Sequence, residues 1–281
     1  MNLRPLYPHA ALLLVGSKNR SLVISDLHLG LESELSLKGV EMPRADLAKE
    51  MIGQIEALCT EHSVDQIVIA GDLKHTFGSI TKQEWDEIPR FLSDLTRFGE
   101  VFLVPGNHDS GIRHLAPLQV NLASASGLTL EDTLVLHGHS LPSEIPQSSA
   151  KVVMGHLHPT LRKKGHVLNG QPVWIYLQVD RSILTSAPGS ENIEMVVIPS
   201  FNRYLYAAGG RTVFGGGNRT SERTNHDEGS RRHPPRGDHK SVAISPVISR
   251  VRRHRDKIRR CMVTTLDGAV VGGESMLDEI L

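Results

Sequence analysis

Apolar and polar positions along this chain follow two alternating rhythms. Five short apolar runs, at residues 21–25, 66–70, 101–104, 133–136 and 151–154, are nearly unbroken and rich in Val, Ile and Leu. Runs of that length and composition predict strands covered on both faces. Between the first three lie stretches with helical period. Leu47, Met51, Ile52, Ile55 and Leu58 share one stripe between Asp46 and His62, and Trp85, Ile88, Leu92, Leu95 and Phe98 share another. Each is the apolar face of an amphipathic helix, with Pro89 placed near the first turn of the second, where a missing N–H is tolerated. Strand, helix, strand, helix, strand is the order of a parallel sheet. The pair 10–15 and 21–24 reads as a hairpin across Gly16-Ser17-Lys18-Asn19.

After Leu115 the helical period disappears. Short strands are predicted at 119–123, 128–136, 151–154, 172–177 and 192–199, with no helix between them, so this part forms a second sheet packed on the first. Residues 218–240 contain no large apolar side chain. Such a stretch cannot bury enough surface to offset its ordering entropy and is expected to be disordered or an extended loop. The chain thus divides into a main domain at 1–214, a polar insertion at 215–241, and a segment at 242–281 that returns to the core with one or two final strands.

Composition narrows the setting. The 31 basic and 31 acidic residues balance, so net charge gives no steering towards nucleic acid. One local exception is the run Arg250, Arg252, Arg253, Arg255, Lys257, Arg259 and Arg260, opposed only by Asp256. It can contact phosphates, but a solvated loop or disordered arm is the more ordinary expectation, and no aromatic residue is interleaved to stack bases. The two cysteines, Cys59 and Cys261, fit a reducing compartment rather than a disulfide framework. No apolar run approaches the roughly 20 residues of a membrane span, and no signal-peptide core opens the chain. A cytoplasmic protein with no membrane partner is expected.

The candidate chemistry lies just past the apolar runs. In order they are followed by Asp26-Leu27-His28, Gly71-Asp72, Gly106-Asn107-His108-Asp109, His137-Gly138-His139 and Gly155-His156-Leu157-His158. In open α/β sheets, groups beyond the strand C-termini line the ligand crevice, so these distant clusters are expected to converge. A lone Asp-x-His or His-x-His is common, and Gly-Asp is as often a helix cap; the conjunction of five clusters in consistent places carries the weight. Asp26 and His28, two apart on an extended segment, point the same way, as do His156 and His158. Asp72 suits a bridging oxygen ligand, Asn107 offers a neutral carbonyl oxygen and His137 an imidazole. This mixed nitrogen and oxygen set suits two divalent metal ions, manganese first, with iron, zinc or nickel as alternatives. His108, held by the neighbouring Asp109, is the candidate general acid. His75 and His139 are candidates for substrate contact or for supporting the ligands. The glycines at 71, 106, 138 and 155 fit turns that need unusual angles or a close approach to a ligand.

Taken together, the order Asp-x-His, Gly-Asp, Gly-Asn-His-Asp, His and Gly-His-x-His resembles the calcineurin-like metallophosphoesterase superfamily. Ser25-Asp26-Leu27-His28-Leu29-Gly30 with Glu32, then Gly71-Asp72-Leu73-Lys74-His75, Gly155-His156-Leu157-His158-Pro159, Ile198-Pro199-Ser200-Phe201-Asn202 and the terminal Leu266-Asp267-Gly268 are similar to archaeal and ligase-associated phosphoesterases. These are related to the nuclease subunit of the bacterial double-strand-break repair complex. The resemblance implies an α/β fold, a four-layer αββα sandwich with two mixed sheets. It implies one metal site of Asp26, His28, Asp72 and His158, and a second of Asp72, Asn107, His137 and His156. It implies hydrolysis of phosphodiester bonds of nucleic acid or nucleotides by a metal-bridged hydroxide, with His108 as acid and Asp109 orienting it. The substrate would include DNA, with a helicase, ligase or ATPase as partner. Two other readings stand beside it: a phosphomonoesterase or protein phosphatase, and a non-catalytic binding scaffold on the same fold.

Overall fold

The computed structural model describes residues 1–37, 39, 47–142, 144–185, 191–207 and 245–280. Among the described residues, six strands form the first sheet in chain order: β1 (Asn2–Pro5), β2 (Leu12–Val15), β3 (Arg20–Ile24), β4 (Gln66–Ala70), β5 (Glu100–Val104) and β6 (Val120–Leu122). β1 to β3 run antiparallel, including the expected hairpin, and β3 to β6 run parallel. The parallel steps pass through α1 (Leu31–Leu37), α2 (Leu47–His62) and α3 (Lys82–Leu95). β1 has no apolar run; as an outer strand with a half-exposed alternation it needs none.

Three local expectations change. The stretch 119–123 was assigned to the second sheet, but β6 pairs with β5, with Val101 opposite Val120. A three-residue strand with one buried position carries no signal for its partner; the open edge of β5 decides it. In α3 the buried stripe is Glu84, Ile88, Phe91, Leu92 and Leu95, while Trp85 is 50% exposed. Pro89 lies in the helix interior rather than its first turn. The helix begins instead with a capping box, in which Thr81 and Glu84 satisfy each other's backbone N–H, an arrangement that stabilises a helix start by about 1 kcal/mol.

Among the described residues, seven strands form the second sheet. β7 (Leu128–Leu130) and β8 (Thr133–Leu136) make a hairpin out of what read as one strand, with Glu131 at φ 48° in the turn. β9 (Lys151–Met154), β10 (Val173–Asp180), β11 (Asn192–Val197), β12 (Ile258–Thr265) and β13 (Val270–Gly272) complete the order β13-β12-β10-β11-β9-β8-β7. β8, β9 and β11 are mutually parallel; the other pairs are antiparallel. The short α4 (Tyr204–Ala207) follows β11, α5 (Pro246–Arg253) precedes β12, and α6 (Leu277–Ile280) ends the described chain.

The basic run is not a free arm. It spans the end of α5, a single 3-10 turn and the start of β12. Arg252 and Arg255 both pair with Asp278, and Lys257 Nζ donates to Ser182 Oγ at 2.8 Å. Val247, Ile248 and Val251 bury the opposite face of α5. Residues 215–241, the expected polar insertion, and Asp46 lie outside the described residues.

Three apolar layers hold the fold together. Leu22, Ile24, Ile67 and Ile69 face α2 and α3, whereas Val23, Val68 and Ala70, on the alternate positions, face Val135, Val153, Trp174 and Val196 of the second sheet. Met154, Ile175 and Met195 look outward to Val247, Ile248, Val251 and Leu277. Both faces of each central strand are therefore covered, which is why the sequence shows runs rather than alternation. The result is a sandwich of two mixed sheets with helices on the outer faces. Among the described residues, no helix is long and apolar enough to cross a membrane.

Candidate metal centre

The C-terminal ends of β3, β4 and β5 in one sheet and of β8 and β9 in the other deliver the predicted residues to one place. His158 Nε2 lies 3.1 Å from Asp26 Oδ1, and His28 Nε2 lies 3.4 Å from His158 Nε2 and 3.7 Å from Asp72 Oδ2. On the other side of Asp72, His137 Nε2 is 3.2 Å from the same Oδ2, 3.1 Å from Asn107 Oδ1 and 3.2 Å from His156 Nδ1. Three groups could each hold a metal ion, with ligand atoms within 4.8 Å of one another: Asp26, His28 and His158; His28, Asp72 and His108; Asp72, His137 and His156. Asp72 is common to the last two, in the position expected of a bridge.

The way these side chains come to face one another differs from expectation. The 26–28 segment is not extended. Asp26 (φ 58°), His28 (φ 47°), Asp72 (φ 51°), His156 (φ 72°) and His158 (φ 42°) all have left-handed backbones. Each such non-glycine residue costs about 1–3 kcal/mol and persists only where its surroundings impose it. Here they do. The loops after β3 and β4 pair with each other, Asp26 N donating to Gly71 O at 3.1 Å, His28 N to Asp72 O at 3.0 Å and Leu29 N to Leu73 O at 2.8 Å. Ser200 Oγ donates to Asp26 O at 2.7 Å and Asn202 Nδ2 to Leu27 O at 2.8 Å. The Asp26 carboxylate itself accepts from His156 N at 3.0 Å and Ser25 Oγ at 2.6 Å. Ser200 and Asn202 lie in a motif noticed in the sequence, but their support of this loop was not legible there.

Two glycines are needed for close approach rather than for backbone angle. A Cβ on Gly106 would overlap the Asp72 carboxylate and one on Gly155 would overlap Ser25 Oγ and Asp26, whereas Gly71 and Gly138 carry positive φ. Gly106→Ala is therefore expected to push Asp72 out of place and to destabilise the protein by about 1–3 kcal/mol, the usual cost of overpacking. A thermal melt together with a calorimetric Mn2+ titration checks this; unchanged melting and unchanged affinity would contradict it.

The electrostatics suit cations. Burial opposes ionisation of Asp26, yet the His158 and His137 imidazoles bring it down to about 2. Asp72 is likewise held well below the carboxylate range, against its burial, by His137, His28 and His108. Burial pushes His28 well down, and burial with His137 pushes His156 down to about 3. His137 is lifted to about 9 because Asp72 and Asp26 outweigh its burial. Ionised carboxylates and neutral imidazoles are the forms that bind metals. The nitrogens of His28 and His158 at 3.4 Å, and of His137 and His156 at 3.2 Å, face one another closely enough to share a cation. His137 Nδ1 donates to Ala70 O at 2.9 Å, which leaves Nε2 as the atom turned to the centre, where a bound cation would take the place of the proton that Asp72 and Asp26 hold on this ring. On donor chemistry and direction the residues fit two divalent ions.

Around this shell, His108 lies with Nε2 3.8 Å from Asp72 Oδ2, and its Nδ1 donates to the His75 carbonyl. The carboxylate of Asp109, expected to orient His108, accepts instead from Leu73 N at 3.0 Å, Lys74 N at 3.1 Å and Gly106 N at 2.8 Å. It ties the Asn107-His108 turn to the loop after β4, and its burial beside Asp72 raises it to about 6. The His75 side chain faces His28. The His139 ring lies 5.3 Å from that of His137, tilted by 46°, and its buried Nδ1 has no partner among the described residues. Two residues missed in the sequence complete the rim. Phe77, 60% exposed, sits with its ring 3.6 Å from that of His108. Glu84, buried at the start of α3, accepts from Thr76 N at 3.1 Å and so anchors the loop that carries Phe77.

No curated protein matches the chain in sequence. Among solved structures it is similar to the nuclease MPE of Pseudomonas putida, at 18% identity over 72% of this chain and 88% of that one, with a TM-score of 0.44. It is also similar to YfcE, a phosphoesterase from E. coli, at 17% identity over 68% and 83%, with a TM-score of 0.36. The profile of the calcineurin-like phosphoesterase family matches residues 20–185, a span that begins with β3, ends after β10 and holds every candidate ligand and His108, though not the supporting Ser200 and Asn202. The chain belongs to the calcineurin-like phosphoesterase family.

Proposed function

We propose that the protein hydrolyses phosphodiester bonds of nucleotides or nucleic acid at a pair of divalent metal ions. The observation that carries this reading is Asp72, whose carboxylate lies between two ligand groups from different sheets. Asp26, His28, Asp72 and His158 would hold one ion, and Asp72, Asn107, His137 and His156 the other, with manganese the first choice for this nitrogen and oxygen set. When bound, the ions generate a nucleophile at neutral pH and offset charge on the phosphate oxygens.

The chain's own residues do the rest. Asp72 and Asn107 place oxygen donors on the floor of the centre. His108, with Nδ1–H committed to the His75 carbonyl, presents Nε2 at the rim and can give a proton to the departing alkoxide. Asp109 holds the turn that carries it. An exposed Phe77 on the His108 ring favours a leaving group with a planar base, because anything attached to the oxygen that His108 protonates lies across that ring. Phe77→Ala is expected to lower kcat/KM on a dinucleotide by about 5- to 150-fold, the loss of about 1–3 kcal/mol of base stacking. It should leave the methyl ester of the same nucleotide unchanged; equal losses on both would remove the stacking role. The balanced net charge, with Arg252 and Arg255 of the basic run paired to Asp278, favours delivery of DNA by a helicase, ligase or ATPase partner, in the cytoplasm, over independent duplex binding.

The test is a metal-reconstituted assay, manganese first, on a chromogenic phosphodiester, a phosphomonoester, single-stranded DNA and a 2′,3′-cyclic nucleotide. Turnover of diesters is expected. Activity on the monoester alone would overturn the diesterase reading, and metal binding without turnover of any ester would point to the non-catalytic scaffold.

A further inference from the structure

We propose that Glu34 is a positioning residue which, through His75, sets the tautomer of His28 so that its Nε2 faces the metal centre. This rests on the metal-centre reading above. Glu34 projects from α1, the helix that follows the Asp26-Leu27-His28 loop directly. Its Oε2 lies 2.6 Å from His75 Nε2. His75 is 2% exposed, and its other nitrogen, Nδ1, lies 3.3 Å from His28 Nδ1. The remaining nitrogen of His28, Nε2, is the one directed at His158 and Asp72.

Two imidazole nitrogens facing each other bond only if one carries the hydrogen and the other the lone pair. The pair alone does not say which. Glu34 decides it, because an ionised carboxylate only accepts. It draws the His75 hydrogen to Nε2, and a neutral His75 then offers a bare Nδ1. His28 answers with its Nδ1–H, and its Nε2 is left with the lone pair that a metal needs. His137, the corresponding imidazole on the other side of Asp72, has a simpler device: its Nδ1 donates to the carbonyl of Ala70, which can only accept. For His28 an ambiguous imidazole takes the carbonyl's place, and the carboxylate behind it removes the ambiguity. Histidine ligands are commonly oriented by such outer partners, whose loss costs 10- to 100-fold in metal affinity. Glu34 itself is about one-third exposed, so its substitution need not disturb the core.

The experiment uses the full chain with Glu34→Ala and Glu34→Gln. Mn2+ titration by calorimetry is expected to show about 10- to 100-fold weaker binding at one of two sites for Glu34→Ala, with the other site unchanged. Glu34→Gln, whose amide oxygen can still accept, should lose less. In metal-free protein labelled with 15N-histidine, His28 should carry its hydrogen on Nδ1 in the parent and on a mixture of both nitrogens in Glu34→Ala. Parental affinity at both sites with an unchanged His28 signature would overturn the relay, as would weakening of substrate KM with metal affinity intact. A parent that binds two ions and shows this tautomer but hydrolyses no ester would sink the proposed activity and leave the relay standing.

Discussion

Asp72→Asn is expected to remove hydrolysis, lowering kcat on a chromogenic phosphodiester by about 10³-fold or more. The physical basis is the position of one carboxylate between two ligand groups: its Oδ2 lies 3.2 Å from His137 Nε2 and 3.7 Å from His28 Nε2. A neutral amide in that place withdraws the negative charge that both cations would share. Metal stabilisation of a phosphoryl transition state is worth several kcal/mol, and each 1.4 kcal/mol is tenfold in rate. Asparagine is the informative substitution because the fold should survive it. Asp72 Oδ1 accepts from His108 N at 2.9 Å, and an amide oxygen can accept that bond as well. The measurement is kcat together with bound metal per chain. A well-folded Asp72→Asn protein that turned over the ester at the parental rate, with two ions bound, would falsify the shared-carboxylate assignment.

The second large effect concerns His108. His108→Ala should cost 10²- to 10⁴-fold on esters with poor leaving groups, the usual worth of a positioned acid. It should cost far less on a nitrophenyl ester, whose leaving group needs little protonation. Metal content separates this from the competing role. His108 also belongs to a group with His28 and Asp72 whose ligand atoms lie within 4.8 Å, so it could itself be a ligand. As an acid its loss leaves two ions bound; as a ligand its loss removes one and depresses both esters alike. Asp109→Asn offers a control. Its carboxylate holds three backbone N–H groups, so the variant should show lower stability as well as lower activity.

Much of the framework was legible in the sequence because it is short-ranged. The apolar runs at 21–25, 66–70, 101–104, 133–136 and 151–154 became β3, β4, β5, β8 and β9, since a strand buried on both faces must be apolar at every position. The 47–62 stripe became α2 for the equivalent reason at helical period. Where the local signal was shared by two outcomes, the reading failed. Trp85 lies one residue from the buried stripe of α3, yet apolarity alone placed it inside. The stretch 128–136 reads as one strand in the sequence and is two, turned at Glu131. The basic run looked like a solvated arm because its main partner, Asp278, lies more than 20 residues further on.

The candidate site divides in the same way. The types of the candidate ligands, their order and their places just beyond strand ends could be read from the chain alone, because these follow from residue identity and local period. How they meet depends on the packing of distant segments. Asp26 accepts from the backbone of His156, 130 positions away, and five candidate ligands take left-handed backbones that no propensity would assign them. It also turned Asp109 from a partner of His108 into a backbone clamp, and put the His75 carbonyl in its place. The left-handed turns, the clamp and the Glu34–His75–His28 chain all depend on groups that approach only when β3, β4 and β5 lie side by side and the second sheet packs the end of β9 against them. Such contacts are made by closing loops of tens of residues, and nothing within a few positions of any one ligand records where those loops close.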